Sequence, residues 1–218
     1  MFFSQKLNFS HENIGSKALL VHITQMSILK IARLGHPILQ KIASQVDDYG
    51  DPEIKKIISD MIETLEDVGG IGLAAPQIHV SKRIVIFFVP ESRIDDEKEQ
   101  VELTIMINPV IKPLNEKINR DWEACLSIPN LMGAVERYSH IKYSWFDVNG
   151  TYFEREASGY HARVVQHECD HLDGKLYPFR ITDISMLGFQ EEINSNIELL
   201  ERGRVVASDN KMLRASNV

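Results

Sequence analysis

Apolar residues recur every three or four positions between residues 51 and 68, which is the spacing of one face of an α-helix. Asp51 and Pro52 supply a capping side chain and a first-turn proline at its start. The pattern predicts a helix whose apolar stripe packs into the core. The stripe consists of Ile54, Ile57, Ile58, Met61, Ile62, Leu65 and Val68.

Short apolar or alternating segments predict β-strands at five places. Residues 28–31 and 103–108 are two of them, and the uninterrupted apolar run Ile84–Val89 indicates a buried strand. Apolar and polar residues alternate over residues 141–145, and Asn149-Gly150 then predicts a hairpin turn into residues 151–154. These features favour an antiparallel sheet.

Two more helices are predicted in the last third of the chain. Ser158 can cap the first, and Gly174 is placed to end it, which gives a helix of about sixteen residues. The second is a terminal amphipathic helix. Its apolar positions are Phe189, Ile193, Ile197 and Leu200.

The order of these elements predicts an antiparallel sheet wrapped on one central helix, with a further helix at the C-terminus. Residues 1–25 have no long apolar core and no arginine, and we expect a flexible extension rather than a signal or transit peptide. We expect one domain over residues 26–205 and a frayed tail over residues 206–218.

Composition narrows the class of protein. With 218 residues and 44% apolar content, the chain can bury a substantial core. Its net charge of −7 argues against a DNA-binding surface, and its longest apolar run is too short to cross a membrane. Only two cysteines are present, which favours a reducing cytoplasm over secretion.

The central helix carries Gln166-His167-Glu168-Cys169-Asp170-His171-Leu172. Residues four apart lie on one face of a helix, so His167 and His171 can bind the same metal ion. Glu168 follows the first histidine and is placed to exchange protons with an attacking water. The motif predicts a metal-dependent hydrolase but leaves the third metal ligand open.

Three positions are candidates for that ligand. A metzincin protease would have histidine where this chain has Tyr177, so that extension fails. A thermolysin-like zinc endopeptidase would use a downstream glutamate, and Glu191 or Glu192 is suitably spaced. Cys125 is the third candidate, because a reduced thiolate can bind a metal ion.

Three separated motifs occur together and in order. They are the small-residue loop Gly70-Ile71-Gly72-Leu73-Ala74-Ala75-Pro76-Gln77, the segment Glu123-Ala124-Cys125-Leu126-Ser127, and the histidine motif. On these motifs, from about residue 26 to about residue 183, the sequence resembles the peptide deformylases. The resemblance implies an α+β fold, in which antiparallel sheets enclose the central metal-binding helix and a further helix follows at the C-terminus. It also implies removal of the N-formyl group from the initiator methionine of new polypeptides.

The resemblance also implies roles for individual residues. Cys125, His167 and His171 would bind one divalent ion, which by the resemblance is Fe²⁺; Zn²⁺, Ni²⁺ and Co²⁺ stay open. Glu168 would pass a proton from the attacking water to the departing amine. Gln77 and the backbone N–H of Leu126 would stabilise the negative charge on the formyl oxygen.

The substrate would be an N-formyl-methionyl nascent peptide. The backbone of Ile71 and Gly72 would pair with it as an added strand, and Ile71 and Val164 would line a pocket for methionine. The ribosome near its exit tunnel is a candidate partner. A non-catalytic, metal-stabilised protein that binds nascent chains is the alternative from another functional class.

Two positions depart from the family pattern. Ala124 stands where the family usually has glycine, and its methyl group is expected to be tolerated at some cost in turnover. Glu136 precedes Arg137 where the family often has proline, and Arg137 is expected to pair with Glu123 behind the metal ligands. Cys169 is expected to face away from the metal and pack against the sheet.

Overall fold

The apolar strand Ile84–Val89 is buried because helices cover both faces of its sheet. In the computed structural model, which describes residues 28–93 and 100–200, its alternate residues belong to two different core clusters. Val85 and Phe87 pack on the side of the metal-motif helix, whereas Ile84 and Ile86 pack on the side of the first helix. Burial on both faces explains why this strand shows no polar alternation.

The described strands form two antiparallel sheets, as predicted. In the five-stranded sheet the order is β1-β2-β3-β6-β7, and in the three-stranded sheet it is β4-β5-β8. The strands are β1 Gly72–Ala74, β2 Ile84–Val89, β3 Val101–Pro113, β4 Ile118–Cys125, β5 Ile128–Tyr138, β6 His140–Phe146, β7 Tyr152–Ser158 and β8 Leu187–Phe189.

Three α-helices accompany the sheets. Helix α1 is Pro52–Val68, capped by the Asp51 side chain and ended by the left-handed Gly69. Helix α2 is Gly159–Leu172, two residues shorter than predicted, and packs between the sheets. Helix α3 covers residues 190–200 of the described chain. None of the described helices is long and apolar enough to cross a membrane.

Most of the predicted elements are confirmed, and the strands β3, β6 and β7 are longer than predicted. The β6–β7 hairpin turns through Asn149-Gly150, where the Asp147 side chain accepts hydrogen bonds from the backbone of Asn149 and Thr151. The terminal helix is confirmed, but Phe189 belongs to β8 rather than to that helix. The expected extension 1–25 and tail 206–218 lie outside the described residues.

The predicted strand at residues 28–31 is wrong. This segment bonds to isolated groups instead of a neighbouring strand: the backbone N–H of Leu29 donates to the Thr64 hydroxyl at 3.0 Å. Just after it, the N–H groups of Ala32 and Leu34 donate to the carbonyls of Gln77 and Ser127. Ala32 and Leu34 therefore hold the backbone of Gln77 and Ser127, two residues of the site described next.

Candidate active site

Helix α2 is fixed near its middle and just after its C-terminal end by specific contacts. Ser158 is its N-cap residue, as predicted, but its side chain makes no capping hydrogen bond. Near the middle, the Gln166 amide both donates to and accepts from the backbone of Tyr138 at the end of β5. After the helix, Gly174 has φ +67°, and a Cβ there would lie 2.7 Å from the carbonyl carbon of Gln40. The helix is thus held in one position between the sheets.

The three predicted ligands lie together. Ligand atoms of Cys125, His167 and His171 are all within 4.8 Å of one another, and the Cys125 sulfur is 3.4 Å from Nε2 of His171. For sulfur and nitrogen bound to one tetrahedral ion, the usual bond lengths give a separation of about 3.5 Å. Cys125 reaches the helix from the end of β4, so the site joins the small sheet to α2.

Behind the predicted metal ligands, the buried Glu123 carboxylate orients His167. Its Oε2 is 2.8 Å from Nδ1 of His167, and Arg137 donates to both of its oxygens, at 2.9 and 2.8 Å. The predicted Arg137–Glu123 pair is therefore confirmed. Burial raises the pKa of Glu123, but the hydrogen bonds from Arg137 and His167 outweigh burial and hold this pKa well below its usual value. An ionised carboxylate only accepts, so Nδ1 of His167 donates and Nε2 is left to face Cys125.

The charge network continues through Asp170, which lies in the same motif. Its carboxylate accepts hydrogen bonds from Arg137 and Arg180. Arg137 is therefore bonded to two carboxylates at once, and these neighbours outweigh burial and raise its pKa. Asp170 thereby fixes the arginine that fixes Glu123.

The two histidines differ in their affinity for positive charge. Burial lowers the pKa of His167, but its hydrogen bonds to Cys125 and Glu123 give a net shift well above the usual value. Burial and the neighbouring His167 lower the pKa of His171 well below it. The two shifts are opposite in direction, and the higher pKa belongs to the ring that contacts both Cys125 and Glu123.

Glu168 is placed beside the ligands in a buried environment. Burial raises the pKa of its carboxyl group to about 7. Its Oε2 is buried and has no hydrogen-bond partner among the described residues. A carboxyl group whose pKa lies near neutrality can both take and return a proton, which is what general acid–base catalysis needs.

Gln77 aims its amide at the ligand cysteine. Its Oε1 accepts the backbone N–H of Ala74 at 2.8 Å, so its Nε2 faces the other way. That nitrogen lies 3.6 Å from the Cys125 sulfur and 3.2 Å from the Ser127 hydroxyl. The carboxamide is buried and fixed in orientation, with donors directed into the site.

The remaining predicted residues surround this centre. Gly72 lies in β1, close enough to Glu168 that a Cβ would overlap its carboxylate. Val164 is buried in the core cluster against which Ile71 packs. Leu126 follows Cys125 and packs, half buried, against the core beside α1. Ile71 and Val164 thus belong to one apolar cluster.

The rival ligand positions are not part of the cluster. Glu191 is exposed on α3 and is absent from the group of potential ligands that the described residues form. Tyr177 is buried, and its ring stacks on that of His167 at 6.3 Å between centroids. Cys169 is buried among residues facing the five-stranded sheet, as predicted.

The sequence interpretation did not identify several residues that support the site. Ser127 contacts Gln77, Tyr177 packs on His167, and Asp170 binds Arg137. Ser127 and Asp170 lie inside the motifs, so their positions carried a signal. The packing of Tyr177 on His167 depends on tertiary contacts, so no sequence signal indicated it.

Comparison with known proteins agrees with this geometry. A sequence model described as polypeptide deformylase matches residues 28–186. Peptide deformylase 1 of Bordetella pertussis is 48% identical over 161 residues, which is 74% of this chain and 92% of that protein. Peptide deformylase 1 of Nitrosomonas europaea is 45% identical over 166 residues, covering 76% of this chain and 94% of that protein.

Solved structures show the same similarity. The crystal structure of peptide deformylase from Thermotoga maritima superposes with a TM-score of 0.65 at 36% identity, covering 72% of this chain and 99% of that one. A Met-ala-ser bound class I type b peptide deformylase from Acinetobacter baumannii gives 0.66 at 33% identity, with 72% and 99% coverage. The chain therefore belongs to the peptide deformylase family.

Proposed function

We propose that this chain uses Cys125, His167 and His171 to hold one divalent metal ion and Glu168 to move the proton when the N-formyl group leaves the methionine of a new polypeptide. Membership of the peptide deformylase family gives the reaction class, a metal-dependent amide hydrolysis. The observation that carries the assignment of residues is the Cys125–His167–His171 cluster with Glu123 behind it.

When held by Cys125, His167 and His171, a divalent ion would supply Lewis acidity to the hydrolysis. Glu168 then accepts the proton of the attacking water. Because burial raises the pKa of this carboxyl group to about 7, it can deliver the same proton to the departing amine nitrogen. That proton becomes the new N–H of the amine, and the second proton of the water passes from formic acid to the same amine. The products are therefore formate and a peptide with an N-terminal ammonium group.

Gln77 and Leu126 stabilise the charge that develops on the formyl oxygen. The Gln77 amide already has its oxygen bound to Ala74, so only its N–H donors face the site. The backbone N–H of Leu126 is the second donor, next to the Cys125 ligand. Each donor of this kind contributes about 3 kcal/mol to the transition state.

The substrate backbone binds along β1. This strand stands at the end of the five-stranded sheet, paired with β2 on one side, and an extended peptide can add to its other edge through Ile71 and Gly72. Ile71 and Val164 share one apolar cluster and line the pocket for the methionine side chain. Formyl-methionyl nascent chains satisfy both features.

The resident ion is Fe²⁺ on this proposal, with Zn²⁺, Ni²⁺ and Co²⁺ as substitutes that the same soft donor set accepts. A thiolate ligand requires a reduced cysteine, and Cys125 and Cys169 are both free thiols in the structure. We assign the reaction to the cytoplasm, on chains leaving the ribosomal exit tunnel. The catalytic domain is residues 26–205.

The assignment is tested by anaerobic purification, elemental analysis and a formyl-methionyl tripeptide assay on two variants. Cys125→Ala is expected to lose the bound metal and the activity together. Glu191→Gln is the matched control and is expected to retain both. Metal retained by Cys125→Ala and lost by Glu191→Gln would instead support the endopeptidase ligand set.

A further inference from the structure

Arg163 is a buried arginine on α2 that belongs to none of the three motifs. It lies four residues before His167, so the two side chains share a face of the helix. Nη1 of Arg163 donates to Oε1 of Glu123 at 2.8 Å, while His167 contacts Oε2 of the same carboxylate. Two side chains from adjacent turns of α2 thus contact Glu123: the imidazole of His167 and the guanidinium of Arg163.

With Arg163 included, the Glu123 carboxylate receives four hydrogen bonds. Arg137 and Arg163 donate to Oε1, and Arg137 and His167 donate to Oε2. Two carboxylate oxygens offer about four acceptor sites, so all of them are used. Four hydrogen bonds fix the Glu123 carboxylate in one orientation. The carboxylate in turn fixes the orientation of the His167 ring that donates to it.

The same guanidinium also binds the hairpin that carries the third ligand. Nη2 of Arg163 donates to the carbonyl of Asn119 at 2.9 Å, and Nη1 lies 3.0 Å from the carbonyl of Val135 and 3.4 Å from that of Asp121. These carbonyls belong to β4 and β5, and β4 ends at Cys125. β4 is an edge strand of its sheet, so α2 anchors it through this side chain.

We propose that Arg163 is a positioning residue for the metal centre: it fixes His167 through Glu123 and fixes Cys125 through the β4–β5 backbone. It touches neither substrate nor metal ion. Its role is to hold the cysteine side and the histidine side of the site at one separation. This inference rests on the proposed ligand set of Cys125, His167 and His171.

Arg163 suits this role because of its fork of donors. A lysine would keep the charge but present a single ammonium, which cannot reach a carboxylate and carbonyls on two strands together. We expect Arg163→Lys to bind metal more weakly than the wild type and Arg163→Met more weakly still. Loss of such an orienting contact typically reduces metal affinity by about 10- to 100-fold.

The matched control is Arg120→Gln. Arg120 lies on the same strand β4 and pairs with Glu136 on β5, so it also joins the hairpin through an arginine–carboxylate contact. It is partly exposed and makes no contact with Glu123 among those described. Arg120→Gln therefore removes an ion pair from the β4–β5 hairpin but leaves the hydrogen bond between Glu123 and His167 unchanged.

The experiment loads full-length protein with Co²⁺ and measures three quantities: metal stoichiometry, the rate constant for Co²⁺ release to a chelator, and the visible and near-ultraviolet spectrum. Circular dichroism and a thermal melt establish which variants are folded at the assay temperature. We expect Arg163→Met to release Co²⁺ about 10- to 100-fold faster with altered thiolate and ligand-field bands. Arg163→Lys is expected to fall between this variant and the wild type, and Arg120→Gln to match the wild type.

A merely structural role would lower the melting temperature while leaving release and spectrum unchanged in the folded protein. Release within twofold of wild type in the folded Arg163 variants would therefore overturn the proposal, as would equal acceleration by Arg120→Gln. Should Arg163→Met fail to fold, Arg163→Lys decides on the same criteria. If the wild type itself binds no Co²⁺, the proposed ligand set fails, which is distinguishable from failure of the role of Arg163.

Discussion

A Cβ atom built on Gly72 would lie 2.4 Å from Oε1 of Glu168, well inside van der Waals contact. The Glu168 carboxylate therefore lies directly against Gly72, and any residue with a Cβ at this position would overlap it. This contact explains why the small-residue loop and the histidine motif, far apart in sequence, belong to one site. It also ties the position of the proposed proton carrier to the proposed peptide-binding edge.

Gly72→Ala is expected to displace the Glu168 carboxylate while leaving the metal ligands in place. A misplacement of about 1 Å in a catalytic group can cost about 100-fold in rate, and we expect a fall in kcat of that order. The measurements are steady-state kinetics and metal content. Gly50→Ala is a suitable control because its Cβ would make only ordinary contact, 3.4 Å from the Asp48 side chain. An unchanged kcat in Gly72→Ala would contradict the placement of Glu168.

Gln77→Glu separates the two functions of the amide. The new carboxylate can still accept the Ala74 N–H, but it replaces the N–H donors facing Cys125 with an acceptor. Loss of one oxyanion donor costs about 10²- to 10³-fold in kcat, and we expect a loss in that range. Kinetics on the metal-loaded variant provide the check. A variant that retains metal and full kcat would remove Gln77 from the proposed mechanism.

His161, which is not one of the proposed metal ligands, makes the free energy of unfolding depend on pH. Burial, together with the nearby Arg155, lowers its pKa from 6.5 to about 4, and its Nε2 lies 3.0 Å from the Tyr143 hydroxyl. Between these two pH values the unfolded chain binds more protons than the folded chain. The free energy of unfolding therefore falls as pH drops through this window, by about 3 kcal/mol in total.

His161→Gln can still accept the Tyr143 hydroxyl but does not titrate. Urea unfolding of wild type and variant at several pH values between about 7 and about 4 isolates the contribution of His161. The difference in the free energy of unfolding between the two proteins is expected to shift in favour of the variant as the pH falls. A difference that stays constant with pH would contradict the buried, neutral state of His161.

Ala124 is expected to be tolerated at its position in β4. It is exposed opposite Met132, at the register shift that separates it from Cys125. Ala124→Gly restores the usual family residue, and glycine's greater backbone freedom is worth about 1 kcal/mol, so only a several-fold change in kcat/KM is expected. An increase by several orders of magnitude would mean that the methyl group blocks the site.

Much of the fold follows from local pattern. The helix α1 and the β6–β7 hairpin are predicted because their periodicity and turn residues agree with their final burial. The local pattern does not predict the β4–β5 hairpin, because most of β4 is exposed, three of its eight residues are charged, and it shows no clear alternation. Residues 28–31 have the composition of a strand but lie beside isolated hydrogen-bonding groups rather than another strand.

The candidate site divides in the same way. The pairing of His167 with His171 is local to one helix, and family resemblance supplied Cys125 and Gln77. The residues around Glu123 are different, because Arg163 contacts partners 28 to 44 positions away in the chain. Such contacts form only when α2 packs on the three-stranded sheet, so no local sequence pattern predicts them.

Formate release from a formyl-methionyl tripeptide, by Fe²⁺-loaded wild type and by Glu168→Gln under anaerobic conditions, tests the central claim most directly. The account predicts steady formate release by the wild type. For Glu168→Gln it predicts unchanged metal content and a rate lower by about 10²- to 10⁴-fold, because the variant lacks the proton carrier. Metal-loaded wild type that releases no formate, or a Glu168→Gln variant as active as the wild type, would contradict it.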